Sequence, residues 1–509
     1  LDYIPERKTV SGMDAKALAA FVGKYDAGLM KMNVVQIGGE LYAEIAGQPR
    51  IEMLPEATDK FYIREIQNFV TFTRNEKGEI EAQMFYMAYR LKSGTAKRPL
   101  MFSFNGGPGS PSLWLHLGAL GPQRVKMLDT GEMPTPPFEL VENALTWLEF
   151  TDLVFIDPIG TGFSRAKTPE IAEKFWSLKG DIESVAEFIR LYLTRNERWN
   201  SPLYLVGESY GTTRAAGLAG YLTPRGVAFN GLALVSSILN FQTARFVKGN
   251  DLPYILFLPT FTATAWYHNC LEPSLQKDLK STVKRAEQFA IGDYAAALAQ
   301  GDRLSAKERS SIIRKLARFT GLSPYYIDLR EMRLNIHMFV KELLRDERRT
   351  VGRLDSRFKG IDLNAAGERN EHDPSMTALM PPYVSLFCHY VRSVLGYESD
   401  LEYAVFGGIK KPWDFGNAAE GHPDTSEALR MAMSMNPHMK VFIASGLYDL
   451  ATPHFATEYT LAHMDLDPSL RSNVETREYE AGHMMYIHEP SLKALFKDVQ
   501  GFVRTSQGS

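Results

Sequence analysis

The stretch Val206–Ala219, VGESYGTTRAAGLA, closes a short apolar run, sets Ser209 between Gly207 and Gly211, and continues into residues of very small volume. A Gly-x-Ser-x-Gly at a strand-to-helix junction makes a sharp turn that projects the serine hydroxyl from the carboxyl edge of a sheet. The flanking glycines tolerate the crowding of such a turn. Ala215, Ala216, Gly217, Ala219 and Gly220 suit a helix lying close against the sheet, despite glycine's helix cost of about 1 kcal/mol. The N-terminus of that helix would face a developing negative charge.

Outward from this turn the chain supplies a sheet for it. LMFSFNGG, DLVFIDP, LYLVGES, GLALVSS and KVFIASG are largely apolar runs ending in Gly, Pro or Ser. Continuous apolar strands are what a parallel sheet covered on both faces requires. Lys24 to Tyr89 reads differently: MNVVQI, ELYAEI, DKFYIREI and NFVTFTRN alternate, separated by turn signals at Gly38-Gly39, Gly47-Gln48-Pro49 and Asn75 to Gly78. That pattern predicts a small antiparallel meander with a core of its own. Between Ser237 and about Asp400 helical periodicity takes over. Ser305 and Glu308 form a capping box, Ile312, Ile313, Leu316 and Phe319 share a face, and Gly321 stands where the helix should end. The expected organisation is a β-rich module over 14–80, an α/β core over 81–241, a helical insertion over 242–400 and the rest of the core over 401–509.

Composition bounds the function. The chain has 509 residues, 45% hydrophobic and 23% charged, with a formal net charge of −3, which gives no general electrostatic attraction for nucleic acid or an anionic membrane. No apolar run approaches the roughly 20 residues of a membrane span. The N-terminal LDYIPERK is not a signal peptide, and the start at Leu1 leaves a removed export signal or a trimmed start as the two readings. Cys270 and Cys388 are read as inert core thiols, with a single disulfide as the alternative.

A serine hydroxyl is a weak nucleophile and needs a base held by an acid. In α/β-hydrolases the acid and then the histidine follow the serine, each after a late strand. Asp449 in KVFIASGLYDLATP and His483 in VETREYEAGHMMYIHEP fit those places. Of the eleven histidines, His438, His454 and His488 lie nearby without a comparable loop, and neither His372 with Asp373 nor His337 with Glu342 has metal-ligand spacing. Asp157 ends a strand but precedes the serine, so it is read as structural. The glycine-rich FNGGPGS turn offers a backbone N–H for an oxyanion, and Tyr210, after the nucleophile, offers another.

Asn105-Gly106-Gly107-Pro108-Gly109 with Gly121-Pro122, the block DLVFIDPIGTGFS over 152–164, GESYG over 207–211, Asp449 in SGLYD, and Ala481-Gly482-His483-Met484 occur in one order. Together they resemble the serine carboxypeptidase family, the peptidase branch of the α/β-hydrolases, over about Gln83 to Phe502. The resemblance implies an α/β-hydrolase fold with a helical cap. It implies Ser209 as nucleophile, Asp449 and His483 as its partners, and Gly107 and Tyr210 as oxyanion donors. Asn105, Gly106 and Glu208 would bind a peptide's C-terminal carboxylate, with no cofactor and no metal. Arg98 to Arg124 and Arg198 to Ser209 resemble the bacterial members, which are usually exported; a homo-oligomer is left open.

The sequence departs from the family pattern in three places. Ser110 replaces a usual cysteine, Leu447 replaces an aspartate, and Ala119 stands where a second carboxylate-binding glutamate belongs. With only Glu208 left of that pair, Arg124, Arg165 or Arg214 is expected to supply positive charge. Because fold does not fix reaction, the alternatives are an esterase, acyltransferase or lyase on the same scaffold, and a binding protein with a relic site.

Overall fold

The computed structural model describes residues 15–26, 31–45, 51–57, 60–63, 66–74, 80–92, 97–416 and 421–507. An antiparallel series comes first: β1 (Gly23–Asp26), β2 (Lys31–Ile37), β3 (Glu40–Ile45), β4 (Ile51–Ala57), β5 (Lys60–Ile63), β6 (Ile66–Arg74) and β7 (Ile80–Tyr89). Then follow β8 (Leu100–Phe104), a hairpin of β9 (Gln123–Val125) and β10 (Leu140–Glu142), β11 (Asp152–Ile156), β12 (Arg165–Ala166), β13 (Leu203–Glu208) and β14 (Gly231–Val235). A second hairpin, β15 (Thr350–Val351) with β16 (Lys359–Gly360), lies within the helical region, and β17 (Lys440–Gly446) and β18 (Val474–Tyr479) complete the set.

One sheet runs β1-β2-β3-β4-β5-β6-β7-β11-β8-β13-β14-β17-β18, with β12 alongside β7. From β11 to β18 every pairing is parallel. Each of β8, β11, β13 and β14 is buried along its whole length. Successive side chains feed opposite cores: Met101, Leu153, Phe155 and Val206 face one, while Leu100, Phe102, Val154 and Leu205 face the other. This two-sided burial is why these strands read as unbroken apolar runs rather than alternating ones. The architecture is an α/β-hydrolase fold.

The meander expected over 14–80 as a separate unit is instead hydrogen-bonded into this sheet, because β6 pairs with β7 and β7 pairs antiparallel with β11. Alternation marks a strand with one wet face but carries no mark of where a meander gives way to the antiparallel edge of a larger sheet. Gly38-Gly39 joins β2 to β3. The turns expected at Gly47-Gln48-Pro49 and Asn75 to Gly78 lie outside the described residues.

Between β14 and β17 the chain is mainly helical, with Leu252–Tyr267, Leu279–Phe289, Ala306–Thr320 and Pro374–His389 among its helices. The Ser305/Glu308 capping box is present, and Gly321 ends its helix at φ 71°. The apolar core of this region includes Phe261, Leu316 and Phe339, and extends to Leu450 and Phe455 beyond β17. Cys270 is half-buried and Cys388 exposed, both unpaired, so the reading of two core thiols does not hold for Cys388.

The small residues after Ser209 do more than admit the sheet. A Cβ on Gly217 would lie 2.3 Å from the Ile182 side chain, and one on Gly220 would lie 2.9 Å from Ala428. The helix Tyr210–Leu222 is thereby gripped by the flanking helices Leu178–Arg195 and Ser426–Met435. At the turn itself, a Cβ on Gly207 would sit 2.2 Å from the Gly211 carbonyl oxygen. Because that obstacle is backbone, Gly207→Ala is expected to destabilise the fold by at least about 2 kcal/mol, measured by denaturant titration. A loss under about 0.5 kcal/mol, within the range of ordinary surface changes, would show that the turn has room to spare.

Candidate functional site

Ser209 follows β13 directly and opens the next helix at φ 60°, ψ −130°. Positive φ at a non-glycine residue costs of order 1–3 kcal/mol and persists only where the surroundings over-determine it. Here the Ser209 N–H donates to the Val235 carbonyl at 2.9 Å, and the Ser209 carbonyl accepts from the Thr212 N–H at 2.8 Å and hydroxyl at 2.7 Å. The turn leaves Ser209 partly exposed between buried Glu208 and Tyr210. The loop after β8 lies directly over it: a Cβ on Gly106 would fall 2.4 Å from the Tyr210 nitrogen. Among the described residues, the N–H groups of Gly107 and Tyr210 have no hydrogen-bond partner, which leaves both able to donate to an oxyanion.

Asp449 is fully buried after β17, and His483 is buried after β18. Their side chains meet at 2.7 Å between Oδ2 and Nδ1. The remaining lone pairs of Asp449 are also used. Oδ1 accepts the N–H groups of Ala451 at 2.8 Å and Thr452 at 3.0 Å, and Oδ2 accepts the Thr452 hydroxyl at 2.7 Å. Burial pulls the His483 pKa down, but the charge and hydrogen bond of Asp449 outweigh it and hold the value above that of free histidine. Among the described residues no hydrogen bond joins the Ser209 hydroxyl to His483, a contact that is often looser without substrate.

Glu208 points beneath this group, 3% exposed. Burial raises its pKa to about 7, against the lowering influences of the His483 charge and of the Tyr486 hydroxyl, which donates to Glu208 Oε2 at 2.5 Å. Asn105 is buried beside it. Its Oδ1 accepts from the Leu115 N–H at 3.0 Å, while its amide nitrogen makes no hydrogen bond of full geometry but lies near enough to Glu208 to favour the charged carboxylate. Tyr486 packs against Gly118: a Cβ there would lie 2.4 Å from its ring. Two of the arginines expected to supply positive charge, Arg165 and Arg214, are committed elsewhere, and Arg124 is ion-paired through one of its nitrogens. Arg124 pairs with Glu489 at 3.0 Å, and Arg165 donates to the carbonyls of Gly162, Ser164 and Glu402. Arg214 is buried against Asp181 at 2.8 Å and donates to the Asn105 carbonyl at 2.7 Å. Arg214 therefore supports the loop rather than binding an anion.

The competing residues lie elsewhere. Asp157 is buried where it accepts the Ser112 N–H at 2.9 Å, and burial raises its pKa to about 7. His454 faces Glu287 at 3.5 Å, His488 bonds to Ser491, and Asp373 caps the helix Pro374–His389. No group of three or more acidic, histidine or cysteine side chains among the described residues is arranged to hold a metal.

Several residues escaped the sequence reading. Thr452 touches both Asp449 and His483 Nδ1, the latter at 3.2 Å, and the Ser236 hydroxyl donates to the His483 carbonyl at 2.6 Å. An acid followed three residues later by threonine is a recognisable side-chain-to-backbone turn, so Thr452 had a local signal. Ser236 and Tyr486 had none.

The chain is 34% identical over 140 residues to Serine carboxypeptidase-like 8 of Arabidopsis thaliana, covering 26% of this chain and 30% of that protein. It is 29% identical over 166 residues to the Retinoid-inducible serine carboxypeptidase of Mus musculus, covering 31% of each. The chain thus spans less than a third of the length of these curated relatives. Among solved structures it is similar to Kex1(delta)p, a prohormone-processing carboxypeptidase from Saccharomyces cerevisiae. The TM-score is 0.48 at 16% identity, with 87% of this chain set against 92% of that one. The family model described as serine carboxypeptidase matches residues 55–492, and the chain belongs to the serine carboxypeptidase family.

Proposed function

We propose that the protein is a serine carboxypeptidase that removes C-terminal residues from peptides through an acyl-enzyme on Ser209. The observation that carries this reading is the closeness of two arrangements: the buried Asp449–His483 pair, and a buried polar floor of Glu208 and Tyr486 near enough to feel its charges, with Ser209 next along the chain from Glu208. In the proposed reaction His483 takes the Ser209 proton as the hydroxyl oxygen attacks the scissile carbonyl. The N–H groups of Gly107 and Tyr210 receive the resulting oxyanion, and His483 returns the proton to the departing amine. Water then attacks the ester with the same histidine as base. Asn105, Gly106 and Glu208 hold the terminal carboxylate, with Glu208 protonated so that it donates rather than repels. An exported location is proposed for the enzyme, which cell fractionation checks; no helix among the described residues is long and apolar enough to cross a membrane.

Ser209→Ala is expected to lower peptidase turnover by on the order of 10⁶ while leaving the melting temperature near wild type. A pure variant retaining a tenth of the activity would overturn the assignment.

The pH dependence follows from Glu208. Its pKa of about 7 leaves it protonated at acid pH and charged above neutrality. A blocked dipeptide with a free carboxylate should therefore bind with a KM that rises above about pH 7, while the KM of its C-terminal amide stays flat. Tyr486→Phe removes a hydrogen bond that favours the charged form, so Glu208 should titrate higher and the rise in KM should move to higher pH. Equal KM profiles for acid and amide would remove Glu208 from the carboxylate site.

A further inference from the structure

The hairpin β15–β16 projects from the helical region, and its tip, Gly352 to Phe358, is inserted between the two loops that carry Asp449 and His483. The tip bonds to both. On the Asp449 side the Arg353 carbonyl accepts the Leu450 N–H at 3.0 Å, and the Ser356 N–H and hydroxyl both donate to the Tyr448 carbonyl at 3.0 Å. Asp449 is thus bracketed on either side of its own position. On the His483 side the Leu354 carbonyl accepts the His483 N–H at 2.6 Å, and Asp355 Oδ2 accepts the Gly482 N–H at 3.1 Å.

Asp355 is itself immobilised. It is 2% exposed, and its carboxylate takes two bonds from the Arg357 guanidinium, at 2.9 and 2.6 Å. Arg357 also reaches the Glu480 carbonyl at 3.4 Å, two residues before Gly482. The carboxylate lies so close to the histidine loop that a Cβ on Gly482 would come within 2.5 Å of its Cβ and Cγ. Behind the tip, Asp373 accepts the N–H groups of Arg353 at 3.0 Å and Leu354 at 3.3 Å, anchoring it to the helix Pro374–His389.

We propose that Asp355, locked by Arg357, is a positioning residue. Its bond to Gly482, with that of Leu354 to His483, sets where the imidazole stands relative to Asp449 and Ser209. The helical region then holds acid and base in mutual register as well as covering the site, and sheet edge alone does not suffice. The inference rests on the proposed function, since it assigns Asp355 a part in that reaction. A displacement of about 1 Å in a reacting group can cost on the order of 10²-fold in rate, which gives the scale of the effect.

The test compares Asp355→Ala with Asp355→Asn, each checked for folding by its melting transition and each normalised by fluorophosphonate titration of Ser209. Asp355→Ala removes the acceptor for Gly482. Asp355→Asn keeps an oxygen that can accept from Gly482 and from one Arg357 nitrogen while removing the negative charge, so it controls for the lost charge. For Asp355→Ala, kcat is expected to fall about 10- to 100-fold with KM within about twofold, because substrate binding is untouched. The acid limb of its kcat profile should move to lower pH as the alignment of His483 with Asp449 loosens. The charges that bear most on His483 are Asp449, Glu208 and Arg353. Asp355→Asn should recover most of kcat and restore the limb.

A folded Asp355→Ala with wild-type kcat, a change confined to KM, or an Asp355→Asn no better than Asp355→Ala would each overturn the proposal. If Asp355→Ala does not fold, Arg357→Gln carries the test, since it loosens Asp355 without removing it. A several-fold fall in kcat with the same shift of the limb supports the proposal, and a wild-type profile overturns it. Should the wild type show no Ser209-dependent peptidase activity, the proposed function fails by itself. The Asp355 claim is then judged by the rate at which fluorophosphonate labels Ser209, which needs the same base: slowed labelling in Asp355→Ala, restored in Asp355→Asn, upholds it, and equal rates reject it.

Discussion

The contact between the Asp449 carboxylate and His483 Nδ1, 2.7 Å long and out of reach of water, is the interaction around which the site is built. Burying a carboxylate is costly unless it is paired and hydrogen-bonded. The chain meets that cost with two backbone N–H groups and the Thr452 hydroxyl in addition to the imidazole. The parallel strands β17 and β18 bring the two loops side by side, and β13, two strands away from β17, delivers Ser209 to the same edge. The strained turn at Ser209 and the glycines around it serve the same end, since a backbone held at φ 60° cannot relax away from the histidine.

The floor proposed to hold the substrate carboxylate is shaped by a small residue. Gly118 leaves room that the ring of Tyr486 enters, and the Tyr486 hydroxyl donates to Glu208. A phenol stays neutral where a second acid would add like charge, so the titration of this floor belongs largely to Glu208. Burial is the main reason that it titrates near neutrality, and of the arginines expected to supply charge Arg165 is committed to backbone carbonyls and Arg214 to Asp181.

Much of this was legible in the sequence because it is local. The apolar runs of β8, β11, β13, β14 and β17 declare a two-sided sheet and the Ser305 box declares a helix start, while the Asp449–His483 pair was expected from the motif order of the α/β-hydrolases. What stayed hidden depends on contacts between distant residues. Asp355 and Gly482 are 127 positions apart and Glu208 and Tyr486 are 278 apart, and no periodicity or spacing joins them. The edge of the sheet was hidden for a different reason: alternation looks the same in an appended meander as in the antiparallel strands that extend a larger sheet.

The measurement that tests the central claim most directly is digestion of an N-terminally blocked peptide in ¹⁸O-labelled water, followed by mass spectrometry over time. The account predicts a ladder shortened one residue at a time from the C-terminus, each new carboxylate carrying ¹⁸O, and much slower shortening of the same peptide amidated at its C-terminus under conditions where Glu208 is protonated. Internal cleavage, or equal digestion of the amidated peptide, would contradict it.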